Sequence, residues 1–310
     1  MSTTEVRAVD AAGPALQWRV AVAMGLVILF WASAFVGIRD VAPFVEPGPM
    51  ALGRLLVAAV PLAVFAWRRG FTLPRGRTAV MVGLYGALWF AGYTVVLNAA
   101  EHQVDAGTAA MIVNVAPLIV AVLAGVLLGE GFPRQLVIGL AIGFCGVALI
   151  GLGGAGRHAS TTGLLLALLS ALLYALGVLT QKVALRRIDP LSATVAGVGV
   201  GIVVLLPFLS GLVSDVSAAP ASAVGWVVYL GLFPTALGFL LWAYVLSHAT
   251  AGQTASATLA VPAVAVLMSW LLLAEVPTVW ALVGGALALL GVAVSRRRTA
   301  AVPQRSAPVG

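Results

Sequence analysis

Apolar residues in this chain come in long runs joined by short polar connections. Stretches free of Asp, Glu, Lys and Arg cover residues 20–38, 79–100, 106–129, 135–156, 158–181, 190–214, 216–274 and 276–295. A further run, 48–67, is interrupted only by Arg54. A helix that crosses a bilayer needs about 20 such residues. The run 216–274 holds two, divided between His248 and Gly252. The pattern therefore predicts transmembrane helices over 20–39, 48–67, 79–99, 106–128, 134–153, 162–182, 191–211, 223–245, 253–273 and 278–295. Arg19, the apolar stretch after it and the Ala32, Ser33, Ala34 triplet resemble a cleavable leader. The same segment has a counterpart inside the chain, so it is read as a retained helix.

Composition agrees with a membrane protein. The 310 residues are 62% hydrophobic and 9% charged, against about 45–50% and about 25% in soluble domains, and mean hydropathy is +1.10. The net charge of +7 would suggest nucleic acid in a soluble protein. Here the cations cluster between apolar runs, so the reading is no nucleic-acid partner and a charge bias that sets orientation. Placing the N-terminus inside leaves every Lys and Arg on that face except Arg39 and Arg157, which fall outside, and Arg54, which lies within a helix. This predicts a multi-pass protein of the cytoplasmic cell membrane with both termini cytoplasmic, tails at 1–19 and 297–310 included. The lone Cys145 excludes an intrachain disulfide and a cysteine metal site. No phosphate-binding Gly-x-x-x-x-Gly-Lys pattern is present, and no cofactor or metal is expected.

The chain repeats itself. An offset of 145 lays Pro117–Leu149 on Pro262–Val294 with identities at Pro117/Pro262, Leu127/Leu272, Leu128/Leu273, Glu130/Glu275, Gly139/Gly284, Ala141/Ala286, Gly146/Gly291, Val147/Val292 and Ala148/Ala293. An offset of 143 pairs Trp31 with Tyr174, Ala32 with Ala175, Arg39 with Lys182 and Pro47 with Pro190. Five helices per half is odd, so the second half crosses in the opposite sense. The expected fold is an all-α membrane protein of ten transmembrane helices in two inverted five-helix repeats, 20–156 and 157–296.

These motifs carry a resemblance. Trp31 to Phe35 in helix 1, Pro47 with Arg54 seven residues on, and Pro117 followed by Leu127, Leu128, Gly129, Glu130, Gly139 and Gly146 form one set. Pro262 followed by Leu272, Leu273, Ala274, Glu275, Gly284 and Gly291 repeats its second part. Over about residues 20–295 the chain resembles EamA-type transporters of the drug/metabolite transporter superfamily. The resemblance implies a substrate cavity between the two halves, for small metabolites of widely varying kind.

Several residues carry two readings. Glu130 and Glu275 sit at helix junctions ahead of Pro133 and Pro277, where a carboxylate favours the N-terminus of the next helix; coupling is the alternative. Arg54, about 10 Å into helix 2 by the 1.5 Å rise, either snorkels outward or faces the cavity to meet a substrate carboxylate, Glu46 or Asp40. Arg39 and Lys182, at matched helix ends, are anchors or gate residues. Pro117 and Pro262 each remove a bond to the carbonyl four back, on Val113 and Thr258, and are expected to bend helices 4 and 9 as hinges.

Polar and aromatic residues within the spans are costly unless they face protein or water. Trp31, Ser33, Arg54, Trp89, Tyr93, Asn114, Tyr174, Gln181, Trp242 and Thr258 form the candidate substrate-binding set. Trp67, Trp226 and Trp280 read as interfacial belt residues. The spacings Gly125/Gly129 and Gly139/Gly143, with the Gly284/Gly291 face, allow close helix packing that fits tight 4–5 and 9–10 hairpins, or a homodimer contact.

No predicted helix interior carries Asp or Glu, which disfavours cation export through a central carboxylate. Any proton coupling falls to helix-edge groups such as Glu101, Asp105, His102 or His248. The reading is a secondary transporter, an exporter of small neutral or zwitterionic metabolites such as amino acids, with a small-molecule substrate and the bilayer as partners. An enzyme acting on lipid-linked substrates would need a convergent catalytic set, which the dispersed acids and histidines do not offer. A passive pore or structural membrane protein is the third reading.

Overall fold

The computed structural model describes residues 14–116, 118, 119, 123, 134–152, 160–248 and 258–295. Helix α1 is Pro14–Val41 and α2 is Pro47–Arg69. Helix α3 runs over 76–101 as Gly76–Tyr85, a π-helical stretch Gly86–Tyr93, and Thr94–Glu101. Then come α4, Ala106–Val113, α5, Arg134–Leu152, and α6, Thr161–Ala184. Helix α7 covers 190–218, with a 3₁₀ turn at Leu206–Phe208. Helix α8 covers 221–248, with a second π-helical stretch at Gly231–Leu237. The described part of α9 is a 3₁₀ turn, Thr258–Ala260, followed by Val261–Leu273; α10 is Val279–Ser295.

No strand occurs among the described residues. Six helices there are long and apolar enough to cross a membrane, and 137–146, Val261–Leu273 and Val279–Gly291 are shorter apolar helices. The protein is a multi-pass membrane protein, helical throughout the secondary structure of its described residues.

The helix starts follow from local chemistry. Asp105 accepts a hydrogen bond from the Thr108 amide at 2.8 Å, Ser160 from Gly163 at 3.0 Å, and Asp189 from Ser192 at 2.9 Å. Each satisfies an amide that the helix itself leaves unpaired. Pro47 and Pro190 occupy first-turn positions, where the missing N–H costs nothing.

The periodicity gave no sign of the π stretches, yet they sit at matched places. Gly86 and Gly231 open them, and 231 − 86 is the offset of 145. A Cβ on Gly86 would stand 2.5 Å from the Gly197 carbonyl oxygen and 2.8 Å from Val200 Cβ; one on Gly231, 2.7 Å from the Arg54 oxygen and 2.6 Å from Val57 Cβ. Both glycines let a π-helical backbone lie directly on a neighbouring helix, α7 for α3 and α2 for α8.

A second reciprocal contact joins α5 and α10. A Cβ on Gly146 would meet the Gly284 oxygen and stand 2.6 Å from the Ala288 amide; one on Gly291 would stand 2.5 Å from both the Gly139 oxygen and the Gly143 amide. The expected place for such glycine packing is the 4–5 and 9–10 hairpins; the close approach seen among the described residues instead joins α5 to α10. Gly125 and Gly129 lie outside the described residues, as do Pro117 and Glu130.

Two expectations change. Trp226 is half-buried against α1, where a Cβ on Gly37 would come 2.8 Å from its ring, so it packs between helices, unlike the exposed Trp67 and Trp280. Pro262 lies in the first turn of the α-helical part of α9, just after the 3₁₀ turn. The departure from α geometry therefore precedes the proline. Helix α4 likewise breaks before position 117, at Asn114, whose side-chain amide turns back to the Ala110 oxygen at 3.0 Å.

Candidate functional site

A cavity of about 720 Å³, open mouth included, lies between α1, α2, α3, α4, α6, α8 and α9. Seven predicted residues line it, namely Trp31, Arg54, Trp89, Tyr93, Asn114, Tyr174 and Thr258. Phe35, Ile38, Leu97, Pro234, Phe239 and Val261 complete much of the wall. Apart from Phe35 of the helix 1 motif, these are apolar members of apolar helices, with no pattern that separates them from packing residues.

The wall is an aromatic lattice. Trp89 meets Tyr174 edge-on with ring centroids 4.8 Å apart and Phe239 at 5.3 Å, while Tyr93 meets Tyr174 at 5.7 Å. Trp31 leans on Phe239 at 5.8 Å and on Trp242 at 5.1 Å. Edge-on and tilted contacts of this kind hold rings in place, so the cavity has stiff apolar sides from α1, α3, α6 and α8.

Arg54 is the exception to that apolar wall. It is only 9% exposed, so it does not snorkel. Its Nε and Nη2 both donate to Thr235 Oγ1, at 3.1 and 3.0 Å. Thr235 is aimed by the π stretch of α8, where its hydroxyl donates to the Leu230 oxygen at 2.8 Å. Glu46 and Asp40 do not pair with Arg54; among the described residues the ion pair formed is Arg39 with Glu275.

Three predicted residues lie behind the wall. Ser33 Oγ shares a 2.7 Å hydrogen bond with the Tyr229 hydroxyl and donates to the Phe30 oxygen. Gln181 donates from Nε2 to the Tyr85 hydroxyl at 3.2 Å, and Trp242 backs Trp31. The polar atoms of Ser33 and Gln181 bond to neighbouring helices, a use of in-membrane polarity that sequence cannot tell from cavity lining.

At the end of the bundle that carries Arg39, the structure joins residues far apart in sequence. Arg39 Nε donates to Glu275 Oε1 at 2.9 Å, and its Nη1 donates to the Glu101 carbonyl oxygen at 2.7 Å. Glu275 Oε2 accepts from the Ser269 hydroxyl at 2.6 Å and from the Ala106 amide at 3.1 Å. Capping of the following helix by Glu275 is overturned: Thr278 caps α10, accepting from the Ala281 amide, and Glu275 reaches the start of α4 instead. Glu101 is wholly buried beside this clamp. His102, just past α3, is partly buried, and that burial holds its imidazole below the ordinary range, opposed by Glu46. Lys182 is exposed at the far end of α6. No cluster of three or more metal-ligating side chains occurs among the described residues.

The sequence pattern of the EamA-like transporter family matches this chain twice, over residues 18–152 and 161–297. The chain belongs to the EamA-like transporter family. A "Probable terminal-alkyne amino-acid exporter" of Streptantibioticus cattleyicolor is 37% identical over 278 residues, covering 89% of this chain and 93% of that protein. "Uncharacterized transporter YdfC" of Bacillus subtilis is 33% identical over 274 residues, covering 88% and 90%. A solved crystal structure aligns with 89% of this chain and 95% of its own at a TM-score of 0.60 and 20% identity, a likeness of fold alone. The protein is thus a transporter of the drug/metabolite transporter superfamily and not an enzyme.

Proposed function

We propose that this EamA-like protein exports amino acids or related zwitterionic metabolites by alternating access. In this reading ten transmembrane helices form two inverted five-helix repeats, 20–156 and 157–296. The protein lies in the cytoplasmic membrane with both termini inside, so the Arg39 end is the outer face.

The observation that carries the substrate class is Arg54. A buried guanidinium in an aromatic cavity, bonded to a threonine and to no acid among the described residues, has donors to spare for a substrate carboxylate. The aromatic faces suit the rest of the molecule, including an ammonium group. The relative named as an amino-acid exporter points the same way.

The reciprocal contacts support the inverted repeat. Gly86 and Gly231 meet α7 and α2 at positions 143 apart (Gly197 and Arg54, Val200 and Val57), and Gly146 and Gly291 exchange partners between α5 and α10. Contacts that map onto themselves when two units are swapped are those of a two-fold axis. The Arg39–Glu275 pair then acts as the outer gate. Lys182 and Glu130, their sequence counterparts, belong to the opposite face.

The test is flux from proteoliposomes loaded with a mixture of amino acids, nucleosides and organic acids. The expected result is saturable, selective loss of amino acids, weakened about ten- to a hundredfold in apparent affinity by Arg54→Ala, the worth of a charged hydrogen bond. Unsaturable loss of all solutes would mean a pore, and an Arg54→Ala protein with unchanged kinetics would remove Arg54 from the binding site.

A further inference from the structure

We infer that Glu101 is a proton-binding site, loaded as the outer face closes over it, so that an acid exterior drives closure of the empty carrier. The direction "outer" rests on the function proposed above; the link between proton binding and closure of the Arg39 end does not.

Glu101 is the last residue of α3, and its side chain is fully buried. Among the described residues neither carboxylate oxygen has a hydrogen-bond partner. The cation that touches Glu101 is already engaged: Arg39 gives Nη1 to the backbone carbonyl of Glu101 and Nε to Glu275. Glu275 secures that arginine with two further donors, Ser269 and the Ala106 amide. Two acids thus stand beside one arginine, and Glu275 holds it.

The other charges around Glu101 do not rescue it. From the α3–α4 turn comes Asp105, a like charge whose carboxylate caps α4. From α2 comes Arg54, tied to Thr235. Tyr93 lies below it on α3 and faces Tyr174 of α6. Helix α6, packed along this part of α3, brings no Asp, Glu, Lys, Arg or His between Thr161 and Leu173. His102 follows in sequence and answers to Glu46 and Arg39. A carboxylate sealed without a donor is costly, whereas the carboxylic acid is tolerated.

Opening reverses each condition. Parting Arg39 from Glu275 frees a guanidinium next to Glu101 and admits water, and the ionised form becomes the favoured one. Closure and proton uptake are therefore one linked step: the carboxylate takes a proton from water, the acid is buried, and Arg39 returns to Glu275. Leu97, one turn earlier on α3, lines the cavity, so the proton is carried next to the substrate space and not to a remote surface. No substrate is needed for this step.

The first test therefore uses none. Spin labels at Phe44→Cys and Val276→Cys, exposed positions flanking the clamp, are placed in a Cys145→Ser background in nanodiscs. Pulsed dipolar spectra are recorded across pH. The short, closed distance should gain population as pH falls, by at most about tenfold per pH unit for one proton. Glu101→Gln should stay closed at every pH, and Glu101→Asp should keep the response with a displaced midpoint. Infrared spectra should show a protonated-carboxyl band that is lost in Glu101→Gln. A distance distribution indifferent to pH in the wild type, or a titration unchanged in Glu101→Gln, overturns the proposal. If Glu101→Gln does not fold, an Asp variant titrating with the wild-type midpoint overturns it equally.

Flux separates this claim from the exporter reading. Amino-acid efflux into acid buffer should be faster than into neutral buffer for the wild type and indifferent to pH for Glu101→Gln. Export with neither response in the wild type refutes the proton site alone. A titrating clamp in a protein that moves no amino acid upholds the proton site and refutes the exporter reading.

Discussion

Replacing Glu275 by Ala tests whether the Arg39 clamp sets the balance between closed and open outer faces. The substitution removes the ion pair at 2.9 Å, the hydroxyl bond from Ser269 and the amide bond at the start of α4. The two side chains are 19% and 17% exposed, so screening is partial. Truncating one partner of a fully buried charged pair costs about 2–5 kcal/mol, and partial exposure brings the expected loss down to about 1–3 kcal/mol, a shift of about 5- to 150-fold toward the open face. The assay places a cysteine at Ala34, a buried cavity-lining position, in the Cys145→Ser background. Its reaction with an impermeant maleimide added from outside is followed at fixed pH. Glu275→Ala should accelerate labelling by that factor, and the swap Arg39→Glu with Glu275→Arg should return it part of the way. Unchanged labelling in a protein that still elutes as a single folded species would show that the clamp is a static staple and refute the gate.

Other consequences are simpler to check. Gly86→Ala should lower stability by about 1–3 kcal/mol, because the new methyl meets the Gly197 carbonyl and Val200; Gly83→Ala on the same helix, with nothing within 4 Å, should be neutral or slightly stabilising. Thermal unfolding of the pair decides it. Trp89→Ala should cost about 3–5 kcal/mol, since Trp89 is buried among Tyr85, Tyr174 and Phe239, whereas Trp89→Phe should leave the melting temperature nearly intact and alter apparent substrate affinity. Burial lowers the His102 imidazole from 6.5. The native state therefore binds its proton less readily than the unfolded chain, and the stability from this group is present above that value and lost as pH falls. His102→Gln should flatten the acid side of a melting-temperature profile, and an unaltered profile would remove His102 from it.

The long apolar helices were legible because each run had to satisfy its own backbone in lipid; the caps at Asp105, Ser160 and Asp189 are seen only in the structure. The cavity set was legible as a group, since Trp31, Trp89, Tyr93, Tyr174 and Arg54 are expensive to show to lipid. Ser33 and Gln181 obey the same rule by bonding to Tyr229 and Tyr85, and no pattern along one helix says which neighbour a polar atom will find. The Glu275 clamp was hidden because its partner lies 236 residues away. Glu101 had the look of a helix-edge acid open to water. Only the packing of α1, α4 and the α9–α10 connection over it shows otherwise. The π stretches broke the 3.6-residue period, though Gly86 and Gly231 at the repeat offset were a usable hint.

The π-helical stretch of α3 also governs azimuth. In an α-helix each residue advances about 100°, so every fourth residue overshoots a full turn by about 40°. Along Tyr85, Trp89, Tyr93, Leu97 and Glu101, an unbroken α-helix would rotate the stripe by about 160°, nearly to the opposite side. Wider turns over Gly86–Tyr93, closed by bonds one residue longer, rotate it back. That phase correction is how a single helix delivers an aromatic wall in its middle and a sealed carboxyl at its end.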